Sequence, residues 1–315
     1  MSVRVLEGDC RAILATLPPQ SVQCCVTSPP YYGLRDYGVA GQMGLEPNLG
    51  DYIAGMVDVF REVRRVLADD GVLWLNVGDS YNAYNGNRGA SMSISANTNE
   101  AVAKLPSGAG LTEKAFKAKD LLMVPARLAL ALQADGWWLR SDCIWAKPNP
   151  MPESVTDRPT SAHEHVFMLT KAARYFYDAE AVREECTVPD WANGTRAFGG
   201  VNKGADLAAG GDHTKGRIAT SAPEGRNLRN VWTIATQPFP GSHFATMPPD
   251  LAERCIKSAS RPGDTVLDPF GGAGTTGLVA DRLRRNALLI ELNPEYAAMA
   301  RERIRADAGL LADVA

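Results

Sequence analysis

The chain has 315 residues, of which 45% are hydrophobic and 22% charged, enough to bury a sizeable core as one large domain with an insertion or as two domains. No apolar run approaches the roughly 20 residues of a membrane span, and Met1-Ser2-Val3-Arg4-Val5 reads as a strand and not as a signal peptide, so a cytoplasmic protein is expected. The net charge of −3 excludes whole-molecule phosphate neutralisation as a source of nucleic-acid affinity, which local charge would have to supply.

The first predicted strand, Val3 to Glu7, closes on Gly8-Asp9. A second apolar run, Cys24-Cys25-Val26, leads directly into Thr27-Ser28-Pro29-Pro30-Tyr31-Tyr32. Each proline locks φ and lacks an N–H, so this segment would present rigid carbonyls and an aromatic face at a sheet edge, where open α/β sheets bind ligands. A Pro-rich turn packed by aromatics is the plainer alternative. From Tyr52 to Leu67 the apolar residues Ile53, Met56, Val57, Phe60, Val63 and Leu67 share a helical face, and Gly71 precedes a strand over Val72 to Val77.

A Gly/Ser/Asn/Ala-rich stretch follows, bounded at 82–118 and read as a mobile insert. A helix over Asp120 to Ala134 and a strand over Trp138 to Trp145 resume the core. His163 and His165 alternate like strand residues about Glu164 at the start of the strand His165 to Leu169, and with no third ligand nearby they read as structural or as supporting a site residue from behind. The six cysteines include no CxxC pair, which argues against zinc and against a disulfide framework. Cys24 and Cys25 read as strand core.

Between Asp190 and Asn230 six basic residues stand against four acidic ones. Glycine-rich spacing there suggests loops that follow a nucleic-acid groove, or else a surface insert. Further on, Thr265 to Asp268 reads as a strand, Phe270-Gly271-Gly272-Ala273-Gly274 as a glycine turn, Thr275 to Arg284 as a helix and Ala287 to Glu291 as the next strand. This is a β-α-β nucleotide-binding unit whose second strand ends in an acid positioned for ribose hydroxyls. Gly272, Gly274 and Gly277 also satisfy GxGxxG, a pattern that ordinary glycine turns often match.

Taken together, Thr27 to Tyr31 and Asp268 to Gly274 resemble the catalytic and cofactor motifs of the DNA amino-methyltransferases. The catalytic motif precedes the cofactor motif, as in the circularly permuted β group of that family. The resemblance spans nearly the whole chain apart from 84–117 and much of 186–225. It implies an α/β, Rossmann-like S-adenosylmethionine-dependent methyltransferase fold with an embedded target-recognition region. The expected divisions are a catalytic half at 1–185, recognition at 186–240 and a cofactor-binding half at 241–315, in which His243 to Ala259, containing Met247-Pro248-Pro249 and a helix, resembles the family segment that closes over the methionine end of the cofactor.

The resemblance also assigns residues. Ser28, Pro29, Pro30 and Tyr31 would be catalytic, Ser28 and the Pro29 carbonyl by accepting from the base amine and Tyr31 by stacking on an extruded base. Asp9, Asp268, Phe270, Gly272, Gly274, Thr275, Thr276, Glu291 and Asn293 would bind S-adenosyl-L-methionine. Arg196, Lys203, Lys215, Arg217, Arg226 and Arg229 would contact DNA. No metal is required. Duplex DNA is the expected partner, and the family admits a homodimer and a cognate restriction endonuclease.

Serine at the head of Ser-Pro-Pro-Tyr resembles the N4-cytosine enzymes, where N6-adenine enzymes usually carry an acid, and adenine stays the alternative. The chain has no Pro-Cys dipeptide, the nucleophile element of cytosine C5 enzymes, so covalent attack on the base is not expected. Outside this class stand a dinucleotide-dependent oxidoreductase using GxGxxG and a catalytically silent DNA-binding module.

Overall fold

The structure, a computed structural model, describes residues 1–82, 115–185, 225–237, 247–308 and 313–314. The chain divides into two compact units, one formed by Met1–Asp178 with Asn230–Ala315 and the other by Ala179–Arg229. Most of the expected insert at 82–118, and Arg196, Lys203, Lys215 and Arg217, lie outside the described residues. Among the described residues no helix is long and apolar enough to cross a membrane.

In the larger unit the chain runs β1 (Ser2–Glu7), α1 (Cys10–Thr16), β2 (Val22–Thr27), α2 (Leu49–Val66), β3 (Leu67–Val77), α3 (Val124–Ala134), β4 (Trp138–Ala146), β5 (His163–Thr170), β6 (Val231–Thr233), α4 (Pro249–Ala259), β7 (Thr265–Asp268), α5 (Thr275–Arg282), β8 (Asn286–Glu291), α6 (Pro294–Ala308) and β9 (Asp313–Val314). The nine strands form one sheet in the order β6-β4-β5-β3-β2-β7-β8-β1-β9. Only β5 runs against its neighbours β3 and β4, and every other pairing is parallel. This is the expected α/β methyltransferase architecture. β6, which falls inside the stretch assigned to recognition, pairs with β4 in the main sheet.

Parallel strands covered on both faces are apolar throughout, and in β2 Val22, Cys24, Cys25 and Val26 are all buried. Both cysteines are therefore core, as read, and burial pushes their thiols up, away from any nucleophilic form.

Helix α2 opens earlier than the sequence pattern indicates. Asn48 caps it by accepting from the Asp51 N–H at 2.8 Å, and the buried face is Leu49, Tyr52, Met56, Val59, Phe60, Val63 and Val66, with Ile53 and Val57 only partly covered. Each such side chain contributes about 1.5–3 kcal/mol on full burial. Leu67 belongs to β3 and not to the helix: it pairs with Val22, whereas the next ladder pair is Cys24 with Val72, so residues 68–71 bulge from the ladder. Likewise α3 starts at Val124 and not at Asp120, because Met123 takes a left-handed φ of 54° ahead of Pro125 in the first turn. Helix α5 ends at Arg282, and Arg284 leaves it at φ 61°.

Candidate active site

Strand β2 lies between β3 and β7. The chain leaves β2 for β3 on one side, and β7 for β8 on the other, so the two crossovers diverge and open a crevice at the carboxyl ends of β2 and β7. The loop after β2 and the turn after β7 line one cavity of about 930 Å³ there. Segments whose strands end 241 positions apart in sequence thus share a wall. Ser28, Pro29, Pro30 and Tyr31 line it, and so do Asp9, Asp268, Phe270, Gly272, Thr275, Thr276, Glu291 and Asn293.

Gly274 does not line it. At φ +76°, its Cβ position would fall 2.9 Å from Ala300 Cβ, so its glycine identity serves the packing of the α5 start on α6. Gly277, the last glycine of the GxGxxG match, would place a Cβ 2.6 Å from Leu289 Cδ1 and lets α5 approach β8.

Glu291 ends β8 with both carboxylate oxygens receiving backbone donors, Gly272 N–H at 2.7 Å and Asn293 N–H at 2.8 Å. It therefore ties the glycine turn to the end of β8, and each oxygen retains a lone pair for a further donor. Burial holds its carboxyl above the usual range, against the lowering effect of those N–H groups. Asn293 Oδ1 accepts from the Glu295 N–H at 2.9 Å in the first turn of α6. Asp9 caps α1 through the Arg11 N–H at 2.8 Å, and the Arg11 guanidinium bonded to it holds its carboxyl below the usual range.

Asp268 is buried under the floor. It accepts from Thr27 Oγ1 at 2.6 Å, Thr276 Oγ1 at 2.7 Å and the Phe270 N–H at 3.1 Å. The Thr276 hydroxyl is thereby committed to the protein, and Thr275 Oγ1 accepts from Arg303 at 2.9 Å. A cavity of this size, floored by a glycine turn at positive φ and flanked by a lone-pair-bearing acid at the end of β8, fits an adenosyl cofactor.

On the opposite wall the loop after β2 makes a polar cluster that sequence reasoning missed. The Tyr31 hydroxyl donates to Glu164 Oε2 at 2.6 Å, and Asn76 Nδ2 donates to that oxygen and to the Tyr31 hydroxyl, each at 2.9 Å. Ser28 Oγ lies 3.2 Å from the Tyr31 hydroxyl and 3.3 Å from Asn76 Nδ2. Lys147, past the end of β4, is paired with Glu164 Oε1. Asn76 is buried, and its Oδ1 has no protein partner among the described residues. Asn76, Lys147 and Glu164 all line the cavity.

The one trace of this in sequence is that Glu164 is an acid between two histidines at the head of a strand that continues as the apolar run Val166 to Leu169. His163 and His165, read as structural, do pack together, with ring centroids 5.4 Å apart, and His165 Nδ1 meets Asp142 Oδ1 at 2.9 Å. The loop itself is held from behind, where the Tyr52 hydroxyl donates to the Pro30 carbonyl at 2.9 Å.

In the smaller unit Arg226 and Arg229 both donate to Glu184 Oε2, at 2.9 and 2.8 Å. Of the segment expected to close over the cofactor's methionine end, described from Met247 onward, Met247 also lines the cavity.

The DNA methylase family model, of the N6/N4 class, matches residues 22–302. The chain is 45% identical over 303 residues to the type II methyltransferase M.SmaI of Serratia marcescens, covering 96% of this chain and 91% of that protein. It is 46% identical to M.Cfr9I of Citrobacter freundii, with coverages of 96% and 88%. Among solved structures it resembles TTHA0409 of Thermus thermophilus in complex with S-adenosyl-L-methionine, at a TM-score of 0.61 and 25% identity over 100% of this chain and 98% of that one. The fold is also that of the cytosine-N4-specific PvuII DNA methyltransferase, at a TM-score of 0.62 and 20% identity over 98% and 92% of the two chains. The oxidoreductase alternative falls away, because a sequence match over this span carries Ser28 to Tyr31 as well as the glycine turn. The chain belongs to the DNA methylase family, the S-adenosylmethionine-dependent N6/N4 amino-methyltransferases.

Proposed function

We propose that the chain methylates the N4 amine of cytosine in duplex DNA at a specific site, as a β-group enzyme of a type II restriction–modification system. The observation that carries the base choice is Ser28: a hydroxyl, and not a carboxylate, heads the motif on the cavity wall beside the Tyr31–Asn76 cluster. The names of M.SmaI and M.Cfr9I support the type II assignment.

Asp9, Phe270, Gly272, Glu291 and Asn293 would hold S-adenosylmethionine, which when bound supplies an electrophilic sulfonium methyl group. The remaining work belongs to the chain's own residues. An exocyclic amine is a weak nucleophile because its lone pair is delocalised into the ring. Ser28 Oγ and the Pro29 carbonyl, accepting from the amine N–H groups, favour a tetrahedral nitrogen and concentrate the pair on it. The prolines keep both acceptors at fixed positions, so little reorganisation is needed when the base arrives. Tyr31 offers its ring to the extruded base. No covalent bond from enzyme to base is needed, and Cys24 and Cys25 are buried in β2 away from any such role.

The test is mass analysis of nucleosides from DNA incubated with isotope-labelled S-adenosylmethionine. N4-methylcytosine is expected. N6-methyladenine overturns the base choice, and 5-methylcytosine overturns direct transfer to an amine. Ser28→Ala should lower turnover by roughly a hundredfold while cofactor binding holds.

A further inference from the structure

Resting on that reading of the cavity, we infer that Glu164, charge-balanced by Lys147, is a positioning residue that sets the direction of the hydrogen-bond chain running from Ser28 through Tyr31, and so keeps a Ser28 lone pair turned to the incoming amine. Protons can be counted along this chain. The Tyr31 hydroxyl owns one, and its shortest contact is Glu164 Oε2 at 2.6 Å, an acceptor that has no proton of its own to give. Burial, then the neighbouring Glu164 carboxylate, push the Tyr31 hydroxyl well above its ordinary pKa, so it keeps that proton and donates it. The Tyr31 oxygen is left as an acceptor only.

At the 3.2 Å contact between Ser28 Oγ and the Tyr31 hydroxyl, Ser28 must then be the donor. Asn76 has two N–H groups for three acceptors, and the two nearer ones, Tyr31 and Glu164 at 2.9 Å, outrank Ser28 at 3.3 Å. Ser28 thus faces the cavity with its proton turned away and lone pair available, as an amine donor requires. With a neutral amide at position 164 the chain can reverse: the amide N–H donates to Tyr31, Tyr31 donates to Ser28, and the serine proton meets the amine N–H donor to donor. Lys147, lying 4.5 Å from the Trp145 ring centroid, balances the Glu164 charge through the other carboxylate oxygen.

The experiment uses the full chain in single-turnover methyl transfer to duplex DNA with labelled S-adenosylmethionine, alongside calorimetric binding of each ligand. Glu164→Gln is expected to slow transfer by roughly a hundredfold, with S-adenosylmethionine affinity and DNA affinity unchanged. Tyr31→Phe severs the chain, so Glu164→Gln placed in a Tyr31→Phe background should cost nothing further. Wild-type rate in Glu164→Gln overturns the proposal alone, and so does a full multiplicative loss in the double variant, which would mark independent structural roles. If Glu164→Gln does not fold, Lys147→Gln must show the same selective slowing and the same lack of additivity, or the proposal fails. A wild-type chain that transfers no methyl group to an exocyclic amine overturns both this inference and the functional reading beneath it.

Discussion

Thr27 Oγ1 donates to Asp268 Oδ1 at 2.6 Å, joining the last residue of β2 to the last residue of β7 across 241 positions of sequence. Thr27 immediately precedes Ser28, and Asp268 also receives the Phe270 N–H, so this one bond couples the Ser28–Tyr31 loop to the glycine turn. Both partners are buried, and a buried carboxylate that loses a donor is not rehydrated. Thr27→Val, which preserves shape and removes the donor, should destabilise the chain by about 1–3 kcal/mol in urea unfolding. It should also weaken S-adenosylmethionine binding by calorimetry. Unchanged values in both would show that the bond couples nothing.

Asp268 and Glu291 predict a pH dependence of stability. Burial, the largest cause for each, raises both carboxyls above their ordinary values of 3.8 and 4.5. The folded state therefore holds these protons more tightly than the unfolded chain. Their contribution is fully present below the unfolded values and is lost as pH rises through the raised folded ones. Relative to wild type, Glu291→Gln should gain stability as pH climbs from about 4.5 upward, in denaturant titrations run at a series of pH values. A difference that stays level with pH would contradict the buried, charged state assigned to Glu291. At neutral pH Glu291→Ala should weaken cofactor binding by roughly tenfold or more, the loss of a hydrogen-bonding charged group.

Two glycines separate packing from catalysis. A Cβ on Gly78 would sit 2.7 Å from Tyr31 Cε2, so Gly78→Ala must push the ring away and draw its hydroxyl off Glu164. Methyl transfer should drop while cofactor affinity holds. A Cβ on Gly274 would meet Ala300 at a left-handed backbone position outside the Ser28–Tyr31 loop. Gly274→Ala should cost about 1–3 kcal/mol of stability by overpacking with no preferential loss in the transfer step. Equal effects of the two variants on rate would count against the division.

Arg226 and Arg229 converge on Glu184, which gathers two guanidinium groups at one point in the smaller unit. If both reach phosphates, replacing them with alanine should reduce the salt dependence of DNA affinity by about two in the log–log slope. Replacement of a base contact would relax the preference for methylation sites instead. Filter or anisotropy titrations across salt concentrations, with site mapping, distinguish the two. The same slope and the same sites in the double variant would remove these arginines from the interface.

The β-α-β unit, the proline-rich loop after β2 and the acid at the end of β8 were legible in the order of residues alone. Proline, glycine and alternating apolar runs act over a few residues, so Ser28 to Tyr31, Phe270 to Gly272 and Glu291 could be read locally. Helix ends were less legible: Asn48 starts α2, and the conformation of Met123 starts α3, through contacts and dihedrals that hydrophobic periodicity does not record. Gly274 fits the cofactor motif by spacing, yet tertiary packing gives it to α6. Only the folded sheet could bring Asn76 on β3, Lys147 after β4 and Glu164 on the reversed strand β5 to the Ser28 loop after β2, because their adjacency follows from strand order and register. Local pattern carries no information about which distant strand ends will meet. An amide and a carboxylate 88 positions apart, with an ammonium between them in sequence, become one polar cluster only when long-range pairing closes the sheet.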